Sequence, residues 1–374
     1  MSWIDVTYHL RGSVAEAEAR ARTIAVEQSI EMPPEAVDDA FVLGEILGRV
    51  VAVEPRNDGL QAIRIRLSAA TVGDDAGQLL NVLFGNSSLH DDLTLAEVVV
   101  PPDLRAALGD GPQVGLDGLR RRVRAEARAL TCSALKPQGL SPKDLARLAE
   151  AFALGGIDYV KDDHGLATQA YSPFPQRVSA CAAAVRRATA RTGHPTRYVP
   201  SLSGSLDALR EQLRVITAEG LDTAMVAPTV LGLSNVQKLR RDHPDIAFLA
   251  HPSLAGAARI DPTCLTTLWR LTGIDAVIFP NHGGRFGYSE QTCRRIAQAA
   301  LAPTPGLAAI APVPAGGMSV ARVPEMLGFY GRDVMLLIGG NLLAEGDRLS
   351  EATAAFVATV HRHSQVQAPA ETHA

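Results

Sequence analysis

The sequence has few cysteines and no long apolar run, and each absence excludes a class of protein. Its four cysteines, Cys132, Cys181, Cys264 and Cys293, are far apart and form no Cys-x-x-Cys pair. A disulfide framework or a zinc site is therefore not expected, and reduced thiols are the default. No stretch approaches the ~20 apolar residues of a membrane span, and the N-terminal residues lack the pattern of a signal peptide. We therefore expect a cytoplasmic protein that has no membrane partner.

The sequence also lacks a strong excess of either charge. Its 374 residues carry a formal net charge of −4, with a pI near 6.2, so no overall attraction to nucleic acid is expected. A basic cluster at Arg120, Arg121, Arg122 and Arg124 is interpreted as a solvated helix face. The length and a hydrophobic content of 47% indicate a globular protein of two domains.

The first third of the chain shows no repeated unit and mixes strand and helix patterns. Strands are predicted over 4–10, 41–55, 60–68 and 93–100, a helix over 14–28, and a helix or short strand over 77–83. Mixed elements of this kind favour a compact α+β domain. We expect it to be ferredoxin-like and to cover residues 1–122.

From about residue 130 onward, short apolar runs alternate with amphipathic helical segments. The runs cover 130–135, 157–160, 197–200, 223–227, 247–250, 276–279, 308–312 and 334–338. Strands that alternate with helices form parallel βαβ units, and eight units in ~240 residues match a TIM barrel. A doubly wound sheet is the competing architecture, but no Gly-x-Gly-x-x-Gly follows the first strand. We predict an α/β fold with a C-terminal (β/α)₈ barrel over 123–363 and a loose tail over 364–374.

Polar residues and glycines follow most of the predicted barrel strands, at the end where TIM-barrel chemistry lies. Because a buried unpaired charge is costly, such groups together favour a site over separate structural ion pairs. In chain order they are Lys136, Gln138, Lys161, Asp162, Asp163, His164, Ser201, Ser203, His251, Asn281, His282, Arg285, Gly316, Gly317, Gly339, Gly340 and Asn341.

Two of these groups indicate ligands by their chemistry. The glycine pairs after strands seven and eight let backbone N–H groups approach a phosphate, although tight turns are the alternative. The carboxylates after strand two could hold a hard divalent cation, whereas His164 shifts the preference toward a softer transition metal. His164 could instead point elsewhere or pair with Asp162.

The ordered motifs resemble those of a known family. Leu-Lys-Pro-Gln-Gly-Leu-Ser at 135–141 and Gly-Gly-Ile-Asp-Tyr-Val-Lys-Asp-Asp-His at 155–164 resemble the first two barrel strands of the RuBisCO superfamily. The match continues at His251, the loop after strand six, 314–317 and 339–340, and it spans nearly the whole chain. The chain is therefore identified as a member of this superfamily, of the RuBisCO-like type.

The resemblance implies roles for several residues. Lys136 would move protons, and Lys161 would be carbamylated by CO₂ and ligate Mg²⁺ together with Asp163 and His164. His251 would be catalytic, and Arg285 would stand for the lysine of the mobile strand-six loop. Gly316, Gly317, Gly339, Gly340, Asn341, Asn281 and His282 would bind phosphate or substrate. The family also forms dimers with shared sites, in which Glu27 and Asn86 would complete the partner subunit's site.

Departures from the family pattern narrow the expected function. His164 replaces a metal carboxylate, and Gln138 replaces a second lysine. Pro252, Ile278 and Ala315 replace polar residues of one phosphate site, and Met32 and Pro33 replace a Thr-Trp pair. These changes argue against carboxylation of a bisphosphate, and they favour a monophosphate or an unphosphorylated sugar acid.

The expected chemistry uses a metal as a Lewis acid to stabilise an enediolate. Our leading hypothesis is decarboxylation of a 3-oxo sugar acid or its monophosphate, of the 3-oxo-isoapionate type. The first alternative is an enolase or isomerase of a methylthio-pentulose phosphate in methionine salvage. The second is a non-catalytic barrel that binds a sugar phosphate.

Overall fold

The structure is a computed structural model that describes residues 2–109, 111–284 and 286–365. The backbone contacts divide the chain into two units. The first contains the chain up to Gly111, together with Gly232–Arg241 and Ser253–Gly273. The second contains Pro112–Leu231, Asp242–Pro252 and the chain from Ile274 onward. Among the described residues, no helix combines the length and apolar character that crossing a bilayer requires.

The first unit is built on a four-stranded antiparallel sheet. Its elements are β1 (Trp3–Arg11), α1 (Val14–Glu27), β2 (Arg49–Pro55), β3 (Leu60–Ser68), α2 (Ala76–Phe84), β4 (Leu93–Val99) and α3 (Pro102–Leu108). The strands lie in the order β2-β3-β1-β4. A capping box between Ser13 and Glu16 begins α1, and the Asp75 side chain caps α2. The predicted α+β character of this region is confirmed.

One predicted strand of this unit is partly wrong. Residues 41–55 were expected to be extended, but Val42–Ile46 forms a π-helical turn, and only Arg49–Pro55 pairs with β3. The Asp39 carboxylate accepts hydrogen bonds from the backbone N–H groups of Phe41 and Val42, and this local cap favours a helical start over an extended one.

The second unit contains eight parallel strands, as predicted. In chain order the remaining elements are α4 (Gly115–Arg122), β5 (Leu130–Leu135), α5 (Pro142–Leu154), β6 (Tyr159–Asp162), α6 (Phe174–Thr192), β7 (Arg197–Val199), α7 (Leu206–Ala218), β8 (Thr223–Val226), α8 (Pro228–Leu231), α9 (Leu233–Asp242), β9 (Ala247–Ala250), α10 (Pro262–Leu271), β10 (Ala276–Pro280), α11 (Glu290–Leu301), β11 (Ala311–Ala315), α12 (Val323–Tyr330), β12 (Met335–Leu337), α13 (Gly340–Leu343) and α14 (Leu349–Gln365). Of these helices, α10 and all but the last residue of α9 belong to the first unit.

The eight strands form a nearly closed barrel around an apolar core. They pair in the order β7-β6-β5-β12-β11-β10-β9-β8, and a parallel bridge between Ser201 and Met225 links the two outer strands. Side chains from all eight strands fill the interior, and Leu116 and Leu119 of α4 join this core. The predicted α/β class with a C-terminal TIM barrel is confirmed.

The seventh barrel strand lies three residues later than predicted. The pattern indicated 308–312, whereas Ala311–Ala315 pairs with β10 and β12. The carbonyl of Ala309 accepts a hydrogen bond from the N–H of Leu116, so this residue holds α4 instead of extending the sheet. The apolar run alone cannot show which of its residues join the sheet, because the partner of Ala309, Leu116, lies far earlier in the chain.

Two further interpretations need correction. The basic cluster is a solvated face only at Arg121 and Arg124, because Arg120 is buried against Asp333 and Arg122 lies near Asp222. The predicted tail began at 364, but Ser364 is buried within α14 and accepts a hydrogen bond from the N–H of Ala129. Residues 366–374 of that tail lie outside the described residues.

Candidate active site

The candidate site begins at the end of β6, where the three consecutive residues Lys161, Asp162 and Asp163 are charged. Successive side chains of a strand point to opposite faces, so Lys161 and Asp163 share one face and Asp162 lies on the other. Leu135 pairs with Asp162 across the sheet, which brings Lys136, the next residue, beside Asp163. The predicted Lys136, Lys161 and Asp163 therefore converge at one edge of the barrel.

Asp163 is the centre of this cluster. Its Oδ1 lies 2.7 Å from the ammonium nitrogen of Lys136 and 3.6 Å from Nδ1 of His164. Burial alone would raise the pKa of Asp163, but the neighbouring His164 and Lys136 hold that pKa well below its usual range. Asp163 is thus a carboxylate whose charge is largely offset by Lys136, and the Lys136 side chain remains 41% exposed to an incoming ligand.

Lys161 is a buried amine beside this carboxylate. It is only 4% exposed, and its Nζ donates a hydrogen bond to the carbonyl of Asp162 at 2.9 Å. Burial lowers the pKa of Lys161, an effect that the nearby Asp163 partly offsets. The structure therefore favours the neutral amine at Lys161 more than an exposed lysine would, which makes it a potential nucleophile or base.

Two histidines stack at the same edge. The rings of His164 and His251 have centroids 4.3 Å apart and are within 5° of parallel. Burial, together with the positive charge of Lys161 and the nearby His164, lowers the pKa of His251 to about 3. His251 is consequently a neutral imidazole near pH 7, and the structure places it in the cluster.

Gln138, noted from the sequence among the polar residues after the first barrel strand and as a departure from the family pattern, also lies in this cluster. Its amide lies over Gly165, and its Nε2 is 3.5 Å from Oδ2 of Asp163. The backbone N–H of Gly165 donates to the same oxygen at 3.4 Å. No local pattern indicates this arrangement, because it depends on the loops after two different strands.

Asp162 lies on the opposite face of β6 and makes contacts of its own. Its carboxylate is fully buried and accepts hydrogen bonds from Tyr198 Oη at 2.7 Å, Arg177 Nε at 3.1 Å and the N–H of Ser201 at 3.1 Å. Arg177 is itself fully buried. Asp162 therefore anchors the outer face of β6 and does not pair with His164.

The loops after β10 and β11 are joined through their glycines. A Cβ added at Gly317 would lie 2.8 Å from Cα of Gly284, so the two loops meet backbone to backbone. Arg322 donates a hydrogen bond to the carbonyl of Gly317 and is paired with Glu325. The glycine at 317 thus has a packing reason that is independent of any phosphate.

The structure places Asn281 and His282 beneath this junction. Asn281 is fully buried, accepts a hydrogen bond from Tyr330 Oη at 2.7 Å and donates to the sulfur atoms of Met326 and Met318. His282 is 7% exposed and contacts the ring of Phe329. Asn281 is placed to hold the loop, so direct binding of substrate by its amide stays a prediction without geometric support.

The remaining predicted residues fall into three groups. Gly316 lies beside the end of β12, because Ala315 pairs with Leu337, so the glycines after β11 and β12 follow neighbouring strands. Gly316, Gly317, Gly340 and Asn341 are exposed. In the first unit, Asn86 Nδ2 donates to Glu27 Oε1 at 2.8 Å. Arg285 lies outside the described residues.

The described part of the chain contains no group of three or more His, Cys, Asp or Glu side chains arranged to hold a metal ion. Asp163 and His164 supply two potential ligands at one place. A further oxygen ligand is needed, and a carbamate formed on the Lys161 amine would provide it. With that addition the residues fit a divalent cation, for which His164 would be an unusual ligand if the cation is Mg²⁺.

The chain is similar to several known proteins. The model of the ribulose bisphosphate carboxylase large chain, catalytic domain, matches residues 115–361. A 5-methylthioribulose-1-phosphate isomerase of Rhodospirillum rubrum is 57% identical over 356 residues, which cover 95% of each chain. A 2,3-diketo-5-methylthiopentyl-1-phosphate enolase of Microcystis aeruginosa is 28% identical and covers 92% of this chain and 90% of its own.

A solved structure shows the same architecture. The crystal structure of a Rubisco-like protein from Rhodopseudomonas palustris superposes with a TM-score of 0.91 and 47% sequence identity. The superposition covers 98% of this chain and 99% of the other.

Proposed function

Because the chain belongs to the RuBisCO large-chain family, in its RuBisCO-like branch, we propose that it is an isomerase of a methylthio-pentulose phosphate. The substrate class comes from the Rhodospirillum rubrum relative, which is named a 5-methylthioribulose-1-phosphate isomerase. The observation that carries the proposal is the pairing of one acid with one base at the barrel edge. Lys136 is a partly exposed cation, and Lys161 is a buried amine of lowered pKa in the same cluster.

Isomerisation of a hydroxyketone needs this combination. A base removes the proton from the carbon beside the carbonyl while an acid protonates the carbonyl oxygen, which gives an enediol. The two events then reverse at the neighbouring carbon, so the carbonyl moves by one position and no heavy atom is gained or lost. We assign the acid to Lys136 and the base to Lys161, as its amine or as a carbamate, because both lie in the cluster around Asp163.

We further propose that Lys161, as a carbamate, holds a Mg²⁺ ion together with Asp163 and His164. A bound divalent cation supplies Lewis-acid polarisation of the carbonyl and stabilises negative charge on oxygen. The residues of the chain would position the sugar and move its protons. The exposed backbone at Gly316, Gly317 and Gly340, together with the half-buried Gly339, is proposed to bind the phosphate.

The proposed assembly is a homodimer with shared sites. In the first unit, Met32, Phe41, Leu43, Val50 and Val51 are exposed apolar side chains between residues 32 and 51. Two inactive variants test the sharing, Lys161→Met and Asn86→Ala. When they are mixed under subunit exchange, roughly a quarter of the normal activity should return, because half of the dimers are mixed and each has one intact site. No recovery, with mixed dimers demonstrated, would exclude shared sites.

The function is tested by following 5-methylthioribulose 1-phosphate with the enzyme in D₂O by ³¹P and ¹H NMR. Conversion to an isomeric ketose phosphate with the carbon skeleton unchanged supports the proposal. Formation of an enol from the corresponding diketone alone would assign the enolase alternative. No turnover of either compound, by folded protein incubated with CO₂ and Mg²⁺, would reject both.

Decarboxylation of a 3-oxo sugar acid remains an alternative proposal. The same acid could protonate the enediol that forms when CO₂ leaves, so the Lys136–Asp163 pair is compatible with it. The measurement is CO₂ release from a 3-oxo sugar acid, free and phosphorylated, under the conditions of the isomerase assay. Release from neither form removes this alternative.

A further inference from the structure

We propose that Gln138 is a positioning residue that orients the carboxylate of Asp163, and that the missing side chain of Gly165 makes the space in which it does so. The two oxygens of Asp163 face different surroundings. Oδ1 faces the cation of Lys136 at 2.7 Å, whereas Oδ2 faces two neutral donors, the Gln138 amide at 3.5 Å and the Gly165 N–H at 3.4 Å.

The division between the two oxygens has a chemical consequence. If a second cation stood where the Gln138 amide lies, Asp163 would be shared between two ammonium groups, and its pairing with Lys136 would weaken. A neutral amide instead contacts Oδ2 weakly and adds no positive charge that competes with Lys136. Gln138 therefore favours one rotation of the carboxylate without adding a second cation beside it.

Gly165 supplies the space for this amide. A Cβ built at Gly165 would lie 1.6 Å from Nε2 of Gln138, and the three nearest atoms all belong to the Gln138 side chain. The backbone of Gly165 is not in the left-handed region, so an alanine is allowed there by conformation. The exposed Gln138 side chain is flexible, so Gly165→Ala should displace the amide and leave the backbone in place.

This relation predicts a non-additive pair of variants. Gln138→Ala and Gly165→Ala should each lower kcat about 5- to 10-fold and change KM less than about twofold, because the orientation of a reacting group affects the transition state more than binding. The double variant should be no worse than Gln138→Ala alone, since the shortened side chain at position 138 leaves nothing for the new Cβ to displace. Gly328→Ala is the matched control, because a Cβ there meets no atom within 4 Å, and its kcat should be unchanged.

Two results overturn the proposal. Multiplication of the two losses in the double variant would show that Gly165 acts on its own. A rise in KM with kcat unchanged, for Gln138→Ala, would show that the amide binds substrate and does not position Asp163. Melting temperatures of all variants, measured without substrate, separate these outcomes from misfolding.

The kinetic experiment rests on the proposed function, so a second measurement is independent of it. The side-chain amide of Gln138 can be followed by ¹H–¹⁵N NMR of glutamine-labelled protein and identified by its loss in Gln138→Ala. In Gly165→Ala the resonance should move to the position of a solvated glutamine amide. If the resonance does not move, the inferred contact between the Gln138 amide and Gly165 is wrong, whatever reaction the enzyme catalyses.

Discussion

The two ends of β6 each carry a charge cluster centred on an aspartate. The two clusters differ in how many short hydrogen bonds the aspartate carboxylate accepts. Asp158, just before the strand, is fully buried and accepts two short bonds from Arg128, at 2.6 and 2.7 Å, and two from Thr131, at 2.8 and 2.9 Å. The carboxylate of Asp163, just after the strand, has one short contact, from Lys136, and its other described contacts are 3.4 Å or longer. The same residue type therefore serves the fold at one end and remains available for chemistry at the other.

The side chains that contact the two carboxylates also differ, in their exposure to solvent. The Arg128 side chain is 11% exposed, whereas those of Lys136 and His164 are 41% and 47% exposed. In a TIM barrel, groups at the starts of the strands act on stability and groups at the ends of the strands act on catalysis. Changes at the two ends should separate these effects.

The largest effect is expected from Lys161→Met. Removal of the amine should lower kcat/KM by at least about a thousandfold, as happens when a group essential to the chemistry is lost. The melting temperature should stay constant or rise, because an apolar side chain replaces a buried amine. Steady-state kinetics and thermal unfolding measure the two quantities. Lys143→Met, at an exposed position of α5, is the control and should change neither.

The second largest effect is expected from Asp158→Asn, and it should appear in stability. Loss of the charge leaves Arg128 without its buried partner, so the free energy of unfolding should fall by about 3–5 kcal/mol. The kcat/KM of the folded fraction should stay within about twofold of the native value. Urea unfolding gives the free energy, and Asp207→Asn, whose side chain is 94% exposed, is the control. A large loss of kcat with unchanged stability would contradict the comparison of the two ends.

The same variant should change the dependence of stability on pH. Burial alone would raise the pKa of Asp158, but the neighbouring Arg128 and His194 lower it below its ordinary value of 3.8. A carboxyl whose pKa is lower in the folded state stabilises the fold above its ordinary pKa, and this contribution is lost as the pH falls through the folded pKa. The stability difference between native protein and Asp158→Asn should therefore shrink as the pH falls below about 5. A stability difference that widens below pH 5 would mean that folding raises the pKa of Asp158 instead of lowering it.

The barrel and the cluster at its edge could be predicted because both follow from local order in the sequence. Eight apolar runs alternate with helical segments, and each charged residue of the cluster lies within three residues of the end of one of those runs. The RuBisCO-like resemblance at 135–141 and 155–164 is confirmed by the family match over 115–361. Position along a strand was thus enough to place Lys136, Lys161 and Asp163 together.

What could not be predicted depends on contacts between distant residues. Asp162 is held away from the cluster by hydrogen bonds from Arg177 and Tyr198, which lie on other elements. The contact of the Gln138 amide with Gly165 joins two loops. The start of the seventh strand moved because the carbonyl of Ala309 binds the N–H of Leu116, which lies far earlier in the chain. The π-helical turn Val42–Ile46 was missed because its apolar residues are compatible with a strand pattern, and the side-chain cap from Asp39 outweighs that pattern.

The smallest effect tests whether the outer face of β6 belongs with the fold or with the chemistry. Tyr198→Phe removes the hydrogen bond from Oη to the buried carboxylate of Asp162, which should lower the free energy of unfolding by about 1.5–3 kcal/mol. Tyr8→Phe, which removes a bond to the neutral carbonyl of Leu83, should cost about 0.5–1.5 kcal/mol and is the matched reference. Both variants should keep kcat within about twofold, because neither hydroxyl contacts the cluster around Asp163. A tenfold loss of kcat in Tyr198→Phe alone would mean that the anchor of Asp162 also sets the geometry of Lys161 and Asp163 on the opposite face, so that stability and chemistry are separated between the two ends of the strand but not between its two sides.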